Sequence, residues 1–457
     1  MACWNMRQGD GWLYPTAVLC VYGFLSMMRP AEPFLVPFLT GPQKNFTVQQ
    51  ISRDIYPIWA YSSLFLLIPM FLLTDMLRYK PIVVLQALAY LVCWFLFSFG
   101  HGLWSIQLAL FAYSVAMACD LGYFCYIYSM VGQEHYQRVT SYARAAVLLG
   151  YAMASLISQL LVSIWRVSLF CLNVITITCL CGALLTSLFL PMPQRGVLLT
   201  EFHDETESKT DLPTQTAWRK RFQRTWRGLR HMLVDCKEHY SSVAFLFFCI
   251  WFVMGKCGYY QISEYVQILW NLKKPENFTV YNGAVDAVAT LSGAAASVAV
   301  GHTTLNWSLW GELSLGVFST LSAGSVYLMD LTSNIWICYG CYIIFKSIYM
   351  QLITICVFQI AKTLSKEHYA LVLGINNFAA MALQALLTAV VLNTKSLQLT
   401  VATQFLIYAT YFGVISLIFL IRGVYSVYAT KQSLLESDSQ EEQIIEGQTG
   451  LPEATEV

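Results

Sequence analysis

Arg29 and Glu32 stand three residues apart inside the apolar stretch FLSMMRPAEPFLVPFL, residues 24–39, with Pro30 and Pro33 beside them. On a helix that spacing puts guanidinium and carboxylate on one face, where they can pair. The two prolines remove amide donors and loosen the helix around the pair. Such a pair is either lifelong structure or a switching element that releases Glu32 to a solute or a proton. Tyr113 and Asp120 are seven residues apart, within about 20° on a helical wheel, so a ring and a carboxylate can face one cavity. Tyr56 and Trp59 are three apart near one end of another apolar run. An aromatic face beside an acid suits a flat organic cation, through attraction to the ring and a charge-assisted hydrogen bond. Lys256, Glu264, Asp286 and Lys346 complete the ionisable residues lodged in apolar runs. Each costs about 2.5–3.5 kcal/mol at the centre of a bilayer unless it faces a cavity or a partner. Glu32, Asp120, Glu264 and Asp286 against Arg29, Lys256 and Lys346 leave a slightly acidic interior, better suited to a cationic or zwitterionic solute than to a multiply charged anion.

The elements that must position these groups are membrane-spanning helices. Of 457 residues 57% are hydrophobic and 12% charged, with mean hydropathy +0.55, far from soluble averages. Runs long enough to cross about 30 Å of hydrocarbon as helices lie at 12–38, 55–76, 81–100, 103–131, 140–164 and 167–190, then at 241–270, 281–301, 307–328, 334–361, 367–392 and 399–428. The sequence therefore predicts an all-α membrane protein of 12 transmembrane helices in two six-helix halves, 1–191 and 241–428. A cytosolic linker joins them at 192–240, and an acidic tail at 429–457 is expected to be disordered. Within the linker, AWRKRFQRTWRGLRHMLVDC spaces Trp218, Phe222, Trp226, Leu229 and Leu233 as the apolar stripe of a basic amphipathic helix. It reads as lying on the anionic inner leaflet, with a calmodulin-type target as the rival.

Lys and Arg collect in the linker and in connections of the same parity, at Arg78, Lys80, Arg138, Lys362 and Lys366, which places both termini in the cytosol. The sequons at Asn45 and Asn277 then fall outside as glycosylation sites, and a third at Asn306 faces the cytosol. The 14 cysteines, Cys338 and Cys341 of CYGC included, lie almost wholly within spans and read as small packing residues. The spans contain no glycine-rich phosphate loop, H-E-x-x-H pair or nucleophile with its base, so neither an enzyme nor a bound cofactor or metal is expected.

LTDMLRYKP, residues 73–81, resembles through Asp75, Arg78 and Lys80 the D-x-x-R-x-K signature of the major facilitator superfamily. Two six-helix halves with a substrate site between them near the midplane are that superfamily's plan. Longer blocks, among them WLYPTAVLCVYGFLSMMRPAEPFLVPFLTGPQKNFT, VYNGAVDAVATLSGA, FKSIYMQLITICVFQIA and YALVLGINNF, resemble the family of thiamine transporters and reduced folate carriers, solute carrier family 19. The likeness runs from about Trp12 to Tyr425 and is nearest the thiamine branch. It implies a multi-pass plasma-membrane transporter that imports thiamine or a closely related cationic vitamin by alternating access. A folate or other organic-anion exchanger of the same family and a transport-dead membrane receptor are the alternatives. The expected partners are the small vitamin and the lipid bilayer, with no nucleic acid.

The resemblance carries Glu32, Trp59, Tyr113 and Asp120 over as substrate-binding residues and matches Asp286 to a family glutamate. Tyr56, Glu264 and Lys346 join them as candidates, with Arg29 and Glu32 as the ion pair or coupling element. Folate carriers place basic residues in spans four, ten and eleven, where this chain has Asp120, Lys346 and Gln384. Three positions depart from the thiamine pattern: Leu110 stands at a family glutamate, Glu264 at an asparagine and Lys256 at a small polar residue.

Overall fold

A computed structural model describes residues 12–76, 79–120, 122–123, 126, 130–131, 135–192, 240, 242–276, 278–303, 307–364, 366–393 and 400–449. The amphipathic linker segment, Arg78, Asn277 and Asn306 lie outside the described residues. A chain this apolar must satisfy its backbone polar groups within each segment, which selects helices. The described residues accordingly form α1 (Leu13–Met27), α2 (Leu35–Thr40), α3 (Tyr56–Met76), α4 (Lys80–Phe99), α5 (Leu103–Ala118), α6 (Tyr136–Ser163) and α7 (Leu169–Leu188). After the linker come α8 (Val243–Lys273), α9 (Asn282–His302), α10 (Trp307–Leu331), α11 (Ile335–Thr363), α12 (Lys366–Asn393) and α13 (Val401–Thr449).

With α1 and α2 as the two arms of one span, each of the 12 spans carries a helix. Eight of these helices are long and apolar enough to cross a membrane by themselves, and α5 is a shorter apolar helix. The break between α1 and α2 falls where Pro30 and Pro33 interrupt the ladder, and Glu32–Phe34 forms a single 3-10 turn there. Lys80 of the 73–81 motif donates to Leu188 O at 3.0 Å and so ties α4 to the end of α7.

Past Tyr428 the backbone of the described residues is helical to Thr449. The segment SLLESDSQEEQIIEGQT contains no proline and is rich in Leu, Glu and Gln, which have high helix propensity, so nothing stops the helix at the end of the apolar run.

In the first half α1 packs on α6 and α7, and α4 on α5 and α7; in the second, α10 packs on α11 and α13, and α9 on α11. The halves meet along α6 with α9 and along α3 with α12, while α2 touches α8. Gly283 allows the approach of α9 to α6, since a Cβ there would sit 2.6 Å from Ser155 O. Many of the contacts between halves lie at the end of the bundle that carries the connections following spans one, three, five, seven and nine. Tyr56 packs on Tyr265 with ring centroids 5.7 Å apart, and Trp59 on Tyr260 at 5.6 Å.

Candidate functional site

The broken first span builds one wall of a cavity of 380 Å³ between the halves. Pro30 and Pro33 cannot donate, so the chain turns through Arg29–Ala31, with Ala31 N–H donating to Thr176 Oγ1 of α7 at 3.1 Å and Glu32 N–H to Arg29 O at 3.1 Å. The turn aims both ionic side chains inward. Arg29 Nε lies 2.9 Å from Glu32 Oε2, and the guanidinium sits 4.5 Å from the centroid of Tyr90 and 5.6 Å from that of Tyr113. Tyr113 donates its hydroxyl to Glu32 Oε1 at 3.1 Å. Burying the pair is tolerable because the carboxylate and two ring faces replace the hydration of the guanidinium, and the Tyr113 hydroxyl replaces part of that of the carboxylate.

Tyr113 and Asp120 both line the cavity, but they do not share a partner. α5 ends at Ala118 with Cys119 as its C-cap, so Asp120 leaves the wheel that carries Tyr113. Its carboxylate accepts from Gln86 Nε2 on α4, and Gln86 Oε1 in turn accepts from the Tyr22 hydroxyl at 2.7 Å.

The second half supplies a matching wall. Lys346 on α11 pairs with Asp286 on α9 at 3.2 Å, and its ammonium lies 5.1 Å from the Tyr151 ring centroid and 5.8 Å from that of Tyr342. Glu264 on α8 accepts from Gln384 Nε2 of α12 at 3.4 Å. Lys256, two turns earlier on α8, donates to Asn377 Oδ1 of α12 and lies 5.5 Å from the centroids of Phe252 and Tyr260. The eight-residue separation keeps it from Glu264, as about 12 Å of helix rise requires.

Arg29, Glu32, Tyr56, Trp59, Tyr113, Asp120, Glu264, Asp286 and Lys346 thus line one cavity, and Leu110 lines it with them. Sequence reasoning missed Trp94, Tyr151, Tyr259, Tyr260 and Tyr342, which complete the aromatic wall. Among 27 tyrosines composition marks none of them, but a spacing signal exists for two. Tyr260 is four residues before Glu264 and Tyr342 four before Lys346, so each shares a helix face with an ionisable group. Tyr259 stacks on Tyr349 with centroids 3.9 Å apart and planes 5° from parallel, a contact between α8 and α11 that no local pattern reveals. Trp59 Nε1 and Thr290 Oγ1 are buried without a hydrogen-bond partner among the described residues, and both residues line the cavity. Of the two candidate glycosylation sites that are asparagines on the sequence, Asn45 is exposed, in the connection after α2.

The cavity holds four carboxylates. Two are satisfied by cations of their own half, Glu32 by Arg29 and Asp286 by Lys346. The other two, Asp120 and Glu264, are held by neutral side-chain amides, one in each half. A cavity of this size, with aromatic walls and two carboxylates whose side-chain hydrogen bonds among the described residues come from neutral amides, can take a flat organic cation into contact with both halves.

The family model described as reduced folate carrier matches residues 10–407. Thiamine transporter 2 of Macaca fascicularis is 43% identical over 94% of this chain and 94% of its own. Thiamine transporter 1 of Homo sapiens is 42% identical over 94% of this chain and 93% of its own. The reduced folate transporter of Homo sapiens is 38% identical over 89% of this chain and 71% of its own. Among solved structures, a POT family transporter in complex with a thioalcohol-conjugated peptide superposes with TM-score 0.64 at 13% identity, covering 90% of this chain and 96% of its own. That likeness concerns the fold, the major facilitator architecture of two six-helix halves.

Proposed function

This chain belongs to the reduced folate carrier family, and on that premise we propose that it imports thiamine, or a closely related flat cationic vitamin, across the plasma membrane by alternating access. The observation that carries the reading is the cavity's charge and shape. Asp120 and Glu264 offer carboxylates held by neutral amides on facing halves, inside an aromatic enclosure. A pyrimidine ring and a quaternary nitrogen meet both requirements, stacking on ring faces and sitting beside a carboxylate. Glu32, Tyr56, Trp59, Tyr113, Asp120 and Glu264 are proposed to contact the solute, with Asp286 and Lys346 as the paired opposite wall. An organic dianion fits less well, because the two cations lining the cavity, Arg29 and Lys346, are each already neutralised by a carboxylate.

Both termini are proposed to face the cytosol, following the distribution of Lys and Arg. The end at which the broken span meets the second half is then the extracellular end. The testing experiment is competition: cells expressing the chain take up radiolabelled thiamine, folate or pyridoxine with and without unlabelled competitors. Saturable thiamine uptake above that of untransfected cells, resistant to folate, is expected. Folate uptake in its place would assign the organic-anion reading, and no saturable uptake of any solute at normal surface abundance would favour a transport-dead receptor.

A further inference from the structure

At the break in the first span, side-chain amides of the opposite half bind backbone groups of the turn; Glu32 O, which accepts from Leu35 N–H within the turn, takes a second donor there. Gln267 of α8 donates through Nε2 to Glu32 O at 3.1 Å and accepts through Oε1 from Val36 N–H at 3.4 Å, gripping the chain on both sides of the 3-10 turn. Asn282 at the start of α9 donates to Pro33 O at 3.1 Å and is itself oriented by the Tyr339 hydroxyl, 3.1 Å from its Oδ1. Gln159 of α6 closes the other edge in the same manner, donating to Val280 O at 3.0 Å and accepting from Ala284 N–H at 3.1 Å. All five contacts join the halves, all are between a neutral amide and backbone, and all lie at the end of the bundle where the halves are closed.

We infer that Gln267 and Asn282, assisted by Gln159, form the latch of the outer gate and position Glu32, so that the grip on the backbone and the occupancy of the cavity are coupled through one residue. Glu32 presents its carbonyl oxygen to Gln267 and its carboxylate to Arg29, Tyr113 and the cavity. A cation that draws the Glu32 carboxylate off Arg29 shifts the turn that carries Glu32 O. The same turn holds the Gln267 and Asn282 contacts. Neutral amides suit a gate that opens in every cycle, because each lost contact is replaced by water at the outer surface without stranding a buried charge. The inference rests on the alternating-access reading and on the proposed orientation, but not on thiamine being the solute.

Gln267→Ala in the full-length chain removes the two-sided grip. With Leu35→Cys as a reporter on the cavity wall and the parent's own cysteines as the background, an impermeant thiol reagent added outside, with no solute present, should react about fivefold faster, the factor expected from losing one or two ordinary hydrogen bonds in a two-state gate. Half-saturation by external solute should fall, because a larger fraction of the protein presents the outward-open site, while maximal uptake per surface molecule falls as closure weakens. A residue with a merely structural role would change surface abundance and leave half-saturation and labelling per surface molecule as in the parent; that result overturns the latch. If Gln267→Ala does not reach the surface, Asn282→Ser carries the same measurement with the same two outcomes. Faster labelling without transport of any vitamin would support the latch and count against the functional reading, which keeps the two separable.

Discussion

Asp120 is fixed by Gln86, and Gln86 by Tyr22, so its carboxylate is oriented in advance and its partner is neutral. Asp120→Asn keeps the shape and removes the charge. Loss of a charge-assisted contact of about 1.5–3 kcal/mol corresponds to at least about a tenfold fall in thiamine uptake at low concentration. Uptake assayed beside surface biotinylation checks this, with surface abundance expected to stay near the parent's. Leu110 and Glu264 make a second case. Both line the cavity, from α5 and α8 on opposite halves, so we propose that Glu264 stands in for the acid that the resemblance to the thiamine branch implies at position 110. Glu264→Asn is expected to lose most uptake, and Leu110→Glu added to it to restore thiamine transport. A Glu264→Asn variant that transports thiamine better than the parent would show Glu264 to be an obstruction and thiamine to be the wrong solute.

Between elements, α10 and α13 approach closely enough for backbone to meet backbone. A Cβ on Gly423 would lie 2.4 Å from Leu313 Cα, and one on Gly316 2.6 Å from Leu420 N, so backbone meets backbone with no flexible side chain to give way. The approach brings Glu312 within 3.2 Å of Arg422, whose guanidinium lies 4.9 Å from the Phe247 ring centroid. Gly423→Ala is therefore expected to cost about 1–3 kcal/mol through overpacking, read as a lower melting temperature of the detergent-solubilised protein. Gly413→Ala on the same helix meets open space and should leave the melting temperature unchanged or slightly raised, since alanine is the better helix former. Equal effects from the two glycines would mean that helix propensity, not the α10–α13 contact, governs this region.

For the whole molecule, the alternating-access proposal requires the halves to separate where α6 meets α9. Gln159 reaches the backbone of Ala284 across that seam, so Gln159→Cys with Ala284→Cys, joined by a short cleavable bifunctional thiol reagent, should abolish uptake, and cleaving the bridge should restore it. Parent protein treated alike controls for the native cysteines. Normal transport by the bridged protein would mean that this seam does not open. Topology has an independent check: Asn45 is exposed in the connection after α2, and Asn45→Gln should remove an endoglycosidase-sensitive mass shift if that connection lies outside the cell.

The number of the spans and the break at Arg29–Glu32 were legible in the sequence, because lipid demands apolar helices and proline cannot continue a hydrogen-bond ladder, both local properties of the chain. The charges that line the cavity were legible for a related reason, since their cost in hydrocarbon makes them conspicuous against an apolar run, whereas Glu312 and Arg422, which pair at 3.2 Å between α10 and α13, were not singled out. What partners those charges take was decided only in three dimensions. Tyr113 bonds Glu32 rather than serving Asp120, since α5 ends before Asp120 and the first span passes beside it. Glu264 and Lys256 lean on Gln384 and Asn377 of α12, more than a hundred residues away. The grip of Gln267 and Asn282 on the broken span was invisible as well. Glutamine and asparagine carry no charge to mark them, and the backbone groups they bind become available only once the halves have closed around the turn.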